Sequence, residues 1–470
     1  MNIDKILTRI KNKIPKKLFV LVQPVYHFLL ALTAATVYRF PSEKIIVIGV
    51  TGTTGKTTSV YLIAKTLEKA GLKVGFTSTA ILNNGRREWL NNKKMTMIGR
   101  FFTQKIIKEM VNNGCQVAVI ETTSEGIKQF RHRFINYDIL VFTGLYPEHI
   151  ESHGSFENYK KAKGELFKHL KRCKVKYLDE NNNVCKVNTE IKKIDLKRLK
   201  KTIVVNGDDE HCDYFLSFWA EQKFVYTKED KTFNFNVKTF YYGDIKASQH
   251  NTCFTIEGQK ICLSLLGYFN ASNAMNAYCV ARALDIEDKL IKWGLESVRG
   301  IAGRLEKIEE GQDFTVIVDY AFEPGAVSKL YEVVNLIKQD NSRIIHVLGS
   351  AGGGRDVARR PKLGELAGSN ADIVIVTNED PYDDDPELII DQVALGAERV
   401  GKKKGKDLFK ILDRRRAIKK ALLQAKTGDI VLITGKGSEQ AICVGGGEKI
   451  PWDDRKVVRE ILKEIRDKTL

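Results

Sequence analysis

Residues 45–71 read IIVIGV-TGTTGKTT-SVYLIAKTLEKAG. The first six form a short apolar run that fits a buried strand. The last thirteen carry apolar residues at helical spacing. Between them lies a loop rich in Gly and Thr. Gly52 and Gly55 let backbone N–H groups wrap phosphate oxygens. Lys56 is placed to neutralise the β- and γ-phosphates, and Thr57 to offer a hydroxyl to Mg²⁺. Thr53, Thr54 and Thr58 complete the loop, and the helix start adds partial positive charge. The usual GxxxxGK[ST] pattern begins with Gly, and Val50 stands there instead. Strand, phosphate loop and helix in this order point to a nucleotide site for ATP with Mg²⁺.

The same alternation continues on both sides. KVGFTST (73–79), QVAVIETT (116–123) and YDILVFTG (137–144) read as strands, and 101–113 as a helix. Such alternation predicts a mostly parallel sheet with helices on both faces. Residues 206–263 are richer in Phe, Tyr and Thr and read as antiparallel strands, with a helix at 272–284. A second series follows in TVIVDY (315–320), RIIHVLGS (343–350), ADIVIVTNE (371–379) and DIVLITGKG (429–437). The expected fold is α/β. An apolar helical N-terminal segment (1–43) precedes a central P-loop parallel-sheet ATPase domain (44–302) and a C-terminal Rossmann-like domain (303–470). Ligands of open α/β sheets sit beyond the carboxyl ends of the strands.

The chain has 470 residues, 43% hydrophobic and 29% charged, which excludes wholesale disorder. Its formal charge of +18 favours anionic partners. No RNA-binding aromatic motif or zinc-finger spacing accompanies that charge, so nucleic acid is not an expected partner. The eight cysteines contain no CxxC pair and read as scattered thiols of a reducing, cytoplasmic compartment. Residues 18–38 carry no Lys, Arg, Asp or Glu and follow Lys11, Lys13, Lys16 and Lys17. Pro24 is expected to break or kink a helix there. The first reading of this segment is helices packed on the next domain or a partner. Contact with a membrane surface is the second, and a true span the third.

Glu121 ends a strand candidate near the phosphate loop, where a carboxylate suits Mg²⁺. Downstream come Glu148, His149 and His153 on a loop, then Lys163 on an amphipathic helix. The runs GVTGTTGKTT, ETTSEG and EHIESHGSFENYKKAKGELF resemble the Mur ligases, ATP-dependent amide synthetases of peptidoglycan precursors. The resemblance is strongest to the MurE branch, which adds the third residue of the stem peptide. It continues through GYFNASNAMNA (267–277), GIAGRLEKI (300–308), VDYAFEPGA (318–326), GSAGGGRDVARRP (349–361), TNEDPYDDDPE (377–387) and GKGSEQAI (435–442), covering roughly 44–470.

The resemblance implies a reaction and a set of roles. ATP phosphorylates a substrate carboxylate, and an amino group attacks the acyl phosphate. Lys56 and Thr57 match phosphate-binding positions. Glu121 and His149 match metal ligands, and Lys163 matches a lysine that is carbamylated in much of the family and then holds a second Mg²⁺. Asn270 and Asn273 match residues at the adenine. Arg304, Asp319 and Tyr320 match the domain junction over ATP, with Asp319 at the ribose. Thr123 and Arg131 match positions holding the muramyl peptide, with Thr96 in the same substrate region.

For the amino acid, Arg355 matches a carboxylate-binding arginine and Glu439, after Gly435, an acid near the side-chain amine. Glu379-Asp380-Pro381-Tyr382 stands where diaminopimelate-adding enzymes carry DNPR. Tyr382 thus replaces the arginine for a second carboxylate. The expected amino acid is lysine- or ornithine-like, with diaminopimelate as the competing substrate. Family members carry a longer N-terminal domain that grips UDP, whereas about 43 residues precede the central domain here. A lipid-linked acceptor is therefore an alternative, as is folylpolyglutamate- or MurT-type chemistry. A non-catalytic nucleotide or precursor sensor is the alternative from another class.

Overall fold

The computed structural model describes residues 16–147, 153–185, 196–354 and 357–469, with backbone only for 16–21, 468 and 469. Strand β1 (Ile46–Thr51) is buried at every position. Its β-branched residues suit a strand covered on both faces. Strands β5 (Val117–Glu121) and β6 (Ile139–Phe142) flank it in parallel, so that Ile48 faces Val119 on one side and Ile139 on the other. Beyond β5 come β2 (Val74–Thr77), β3 (Ile81–Asn83) and β4 (Glu88–Leu90). Beyond β6 come β10 (Thr202–Asn206), β11 (Gln222–Thr227), β12 (Lys238–Ala247), β13 (Thr252–Ile256) and β14 (Gln259–Leu263). Together these make an 11-stranded sheet in the order β14-β13-β12-β11-β10-β6-β1-β5-β2-β3-β4. A separate small sheet holds β7 (Lys176–Leu178), β8 (Val184–Cys185) and β9 (Lys197–Leu199).

Helices cover both faces of the large sheet. Helix α2 (Lys56–Lys69) packs with α7 (Phe269–Ala283) and α8 (Asp288–Glu296) over one core cluster. Helices α3 (Arg100–Asn112), α5 (Phe156–Leu170) and α6 (Cys212–Leu216) contribute to the other. The short α4 (Ser124–Lys128) lies after β5. A second sheet contains β15 (Glu306–Ile308), β16 (Thr315–Val318), β17 (Ile344–Leu348), β18 (Ile373–Thr377), β19 (Leu408–Ile411) and β20 (Ile430–Ile433). Its order is β15-β16-β20-β17-β18-β19, parallel except for β15. Helices α9 (Pro324–Ile337), α10 (Arg359–Asn370) and α11 (Pro386–Arg399) cover one face. Helices α12 (Arg414–Gln424) and α13 (Asp454–Thr469) cover the other. The hairpin of β21 (Ala441–Cys443) and β22 (Lys449–Pro451) precedes α13.

Three local readings of the sequence change. First, α1 (Lys16–Val37) is a single helix that runs through Pro24. Pro24 is exposed, so the carbonyl four residues earlier, on the same face, loses its N–H partner towards solvent and the helix can continue. No described helix is long and apolar enough to cross a membrane. Second, 206–263 is not wholly antiparallel: β11 pairs in parallel with both β10 and β12, and only β12, β13 and β14 alternate in direction. Third, the cysteines are not all free thiols. Cys253 and Cys262 form a disulfide. The turn between β13 and β14 has Glu257 and Gly258 at positive φ. Such a two-residue hairpin turn fixes the register, and that register sets Cys253 opposite Cys262.

Candidate functional site

The carboxyl ends of β1, β5 and β2 face the second sheet across a cavity of about 1050 Å³. The phosphate loop crosses its floor. Gly52 and Gly55 both have positive φ. A Cβ on Gly55 would collide with the Asn273 carboxamide oxygen, so the loop closes onto α7 only with glycine there. The Lys56 ammonium donates to the Gly52 carbonyl at 3.1 Å and the Thr53 carbonyl at 2.6 Å. This loop is a concave, N–H-rich cradle at a helix start, which fits a polyphosphate.

The Thr57 hydroxyl donates to Glu121 Oε2 at 2.9 Å. Thr79 donates to Glu121 twice, from its backbone N–H at 2.8 Å and its hydroxyl at 3.0 Å. Glu121 is 1% exposed yet lines the cavity. A buried hydroxyl–carboxylate pair beside a phosphate cradle is a donor set for a hard divalent cation. Lys163 lies under the loop, buried, with its ammonium 2.7 Å from the Gly52 carbonyl and over the Tyr159 ring. The Tyr159 hydroxyl is 3.2 Å from that of Thr53. His149, read as a metal ligand, and Arg355, read as an amino-acid contact, lie outside the described residues, as does Glu148. Among the described residues no group of three or more His, Cys, Asp or Glu side chains could hold a metal ion.

The adenine and ribose candidates divide. Asn270 and Asn273 are buried, bonded to each other at 2.9 Å, and both line the cavity. Asn273 meets the phosphate loop itself. Asp319 accepts the N–H groups of Leu305 at 2.7 Å and Ala321 at 2.6 Å. Burial pushes its carboxyl above the usual range. Arg304, on the Tyr320 ring, donates to the Thr57 hydroxyl at 3.2 Å and so joins the second half to the phosphate loop.

The candidates for the peptide acceptor cluster at another wall. Thr123 caps α4 by accepting from Gly126 N–H at 3.1 Å. Arg131 donates to the Met97 carbonyl and to Gln129, and burial lowers its pKa. The Thr96 hydroxyl donates to that of Thr79 at 2.9 Å, one bond away from Glu121. His153 lies beside them, 3.1 Å from Ser124 Oγ, and burial lowers its pKa.

The opposite wall belongs to the second half. Asp380, Tyr382, Gly435 and Glu439 all line the cavity, as their motifs suggest. Its acids are less open than the sequence implies, however. Asp380 is held by Lys436 at 2.8 Å, by Cys443 N–H at 2.7 Å and by Lys94, and Glu439 is held by Lys436 at 2.7 Å. Burial opposes ionisation of Asp380, but the two lysines outweigh it and keep the carboxyl below its usual range. Glu379, which packs on Gly435, has one oxygen with no hydrogen-bond partner. Burial, then the Asp380 charge, raises its carboxyl.

Among the lining residues missed by sequence reasoning are Arg359 and Lys94. Arg359 pairs with Glu323, and its Nε and Nη2 have no hydrogen-bond partner. Its place directly after the RDVA run was the available signal. Lys94 had none, since NNKKM reads as a solvated turn.

A family model for the Mur ligase middle domain matches residues 50–197, and one for the Mur ligase, glutamate ligase domain matches 303–437. The UDP-N-acetylmuramyl-tripeptide synthetase of Roseiflexus sp. (strain RS-1) is 36% identical over 444 residues, spanning 93% of this chain and 82% of that protein. The UDP-N-acetylmuramoyl-L-alanyl-D-glutamate--2,6-diaminopimelate ligase of Caldanaerobacter subterraneus subsp. tengcongensis is 31% identical, spanning 93% and 82%. A solved structure of a UDP-N-acetylmuramoyl-L-alanyl-D-glutamate--2,6-diaminopimelate ligase has a TM-score of 0.56 at 25% identity, over 90% of this chain and 79% of that one. With motifs, fold and relatives in agreement, the chain belongs to the Mur ligase family of ATP-dependent ligases.

Proposed function

We propose that this enzyme joins a free amino acid to the peptide carboxyl of a UDP-MurNAc-dipeptide-type peptidoglycan precursor, with ATP consumed through an acyl phosphate. One observation carries the reading. The phosphate loop with its Thr57–Glu121 pair, the Thr123–Arg131 wall and the Asp380–Glu439 wall all open into one cavity. A ligase of three substrates needs such a shared space.

The chain's own residues take these roles. The loop N–H groups and Lys56 hold the ATP phosphates and neutralise the charge that grows as the phosphoryl group leaves. Thr57, Glu121, His149 and a carbamylated Lys163 would hold Mg²⁺, which when bound lowers the repulsion between phosphate and carboxylate. Asn270, Asn273 and Arg304 position the nucleotide. Asp319 fixes the backbone at Leu305 and Ala321, and so places Arg304. Thr96, Thr123 and Arg131 receive the acceptor, while Arg355, Asp380, Tyr382 and Glu439 receive the amino acid. We assign residues 44–302 and 303–470 as the two domains whose closure assembles the site.

A second reading, that the acceptor is lipid-linked and the protein meets the membrane surface, has its own observation. Val22, Val25, Phe28 and Leu29 are exposed along the middle of α1, downstream of Lys11, Lys13, Lys16 and Lys17. On this reading the enzyme works in the cytoplasm with peripheral membrane contact. Flotation with anionic liposomes tests it, and protein that stays wholly at the bottom of the gradient counts against it.

The central test is phosphate release from ATP with UDP-MurNAc dipeptide and, in parallel, lysine, ornithine or diaminopimelate. Turnover with lysine or ornithine above diaminopimelate is expected. Equal turnover with diaminopimelate would defeat the selectivity reading. No turnover with any, alongside ATP binding, would favour another acceptor or a sensor.

A further inference from the structure

Lys94 reaches into the amino-acid wall from the other half of the molecule. It lies in the loop between β4 and α3, together with Thr96 and Met97. Its ammonium stands 2.8 and 2.6 Å from the two Asp380 oxygens and 3.1 Å from Glu439 Oε2. Lys436 bonds the same two acids from below. Two carboxylates and two ammoniums thus make a neutral square. Lys94 and Lys436 side chains are 5% and 0% exposed, Asp380 and Glu439 9% and 14%. Burial works against the charge on Lys94, but Glu439 and Asp380 outweigh it and raise its pKa.

Lys94 also has φ of 51°. A lysine in the left-handed region costs on the order of 1 kcal/mol, so its surroundings must hold it there. The pairs that hold it belong to the wall just assigned to the amino acid.

We propose that Lys94 is a tethered stand-in for the side-chain ammonium of the incoming amino acid. It neutralises Asp380 and Glu439 until a substrate brings its own cation to replace it. The inference rests on the reading that this wall receives the amino acid, and it adds a reason for selectivity. A neutral side chain that pushed Lys94 out would leave two buried carboxylates facing Lys436 alone. An uncompensated buried charge is strongly unfavourable. A lysine- or ornithine-like side chain restores neutrality, so the exchange discriminates against uncharged amino acids of the same length. Lys94 is therefore a positioning and selectivity residue that need not touch the reacting atoms. Its loop also carries Thr96 and meets Arg131 at Met97, so the loop adjoins both the acceptor wall and the amino-acid wall.

The test compares the full-length enzyme with Lys94→Met, Lys94→Gln and Lys94→Arg. Steady-state kinetics are measured with lysine and ATP, and lysine and norleucine binding by calorimetry in the presence of ADP. Removing the internal competitor should tighten lysine binding and lower its KM by about tenfold in both Met and Gln variants. KM for ATP should stay within about twofold, and Lys94→Arg should restore the wild-type value. Norleucine, which brings no cation, should gain nothing. Unchanged or weaker lysine binding in both Met and Gln variants would overturn the proposal. The binding arm keeps the two readings apart. Tighter lysine binding without turnover in any form would sustain the stand-in while removing the ligase assignment. Turnover in the wild type with unchanged lysine affinity in the variants would do the reverse.

Discussion

Asp138 and Asp380 are both buried aspartates that hold two lysines each, and they behave as opposites. Asp138 precedes β6 at the amino end of the large sheet. It bonds Lys176 at 2.5 Å, Lys201 at 2.8 Å and the Val47 N–H at 2.8 Å. All its partners come from one half, and all three charged side chains are within 2% of full burial. Asp380 follows β18 at the carboxyl end of its sheet. One of its lysines comes from its own half and the other, Lys94, from across the cavity. The first cluster is closed and knits one core. The second lies on the cavity, and one corner of it, Lys94, is supplied by the other half. Charge buried within a single folding unit is structural, whereas charge shared between units is available for function.

The largest effect should come from breaking the closed cluster. Asp138→Asn leaves Lys176 and Lys201 without a buried counter-charge, and should cost about 3–5 kcal/mol of unfolding free energy. Urea unfolding measures it, and a loss under about 1 kcal/mol would collapse the contrast. Asp380→Asn should cost less stability, about 1–2 kcal/mol, because Lys94 lines the cavity and can withdraw into it and recover hydration. The same change should lower kcat/KM for the amino acid about 100-fold, worth about 2.7 kcal/mol. A purely structural loss, with kcat/KM intact, would place Asp380 with Asp138.

A third buried group, which has no counter-charge, sharpens the rule. His346 is fully buried and bonds the Tyr331 hydroxyl at 2.6 Å and the Thr434 hydroxyl at 2.9 Å. Burial first, then Arg414, lowers its pKa to about 3. Between pH 6.5 and about 3 the unfolded chain takes up a proton that the folded one refuses. Stability from this group is complete above that window and is lost as pH falls through it, by about 1.4 kcal/mol per pH unit. His346→Gln should reduce the acid slope of unfolding by about one proton. The smallest expected change is in selectivity. Tyr382→Arg should raise turnover with diaminopimelate about tenfold relative to lysine, by returning a donor for the second carboxylate. An unaltered ratio would show that Tyr382 does not face that group.

What the sequence discloses follows from how local each feature is. The phosphate loop lies within one contiguous stretch, so Gly52 to Thr58 were readable from residue types alone. The strands β1, β5, β6, β16, β17, β18 and β20 were readable because strands buried on both faces are continuously apolar. Asp380, Tyr382 and Glu439 were found through motifs, but their surroundings were not. Lys94 and Asp380 are 286 residues apart, and no local pattern marks a lysine that crosses a cavity. The disulfide was not in reach, since Glu257-Gly258 is not among the Asn-Gly or Asp-Gly pairs that mark a two-residue hairpin and so fix a pairing register. Nor was the parallel pairing of β11 with β12, because aromatic-rich strands carry no mark of direction.

The linker between the halves is anchored on both sides of a single residue. Ile301 is buried in the core of the large sheet. A Cβ on Gly303 would strike the backbone of Gly437 and Ser438, so Gly303 is seated directly on the second half. Its N–H donates to Glu306 at 2.8 Å. Ala302 alone lies between these two anchors. The halves are therefore joined as by a pin and not by a tether. Reorientation of one against the other has to be a swing about that point, with little room to slide. Contacts beside the pin, such as Arg304 on Thr57, would trace the shortest arcs in such a swing, and the far rim of the cavity the longest, as in a pair of tongs.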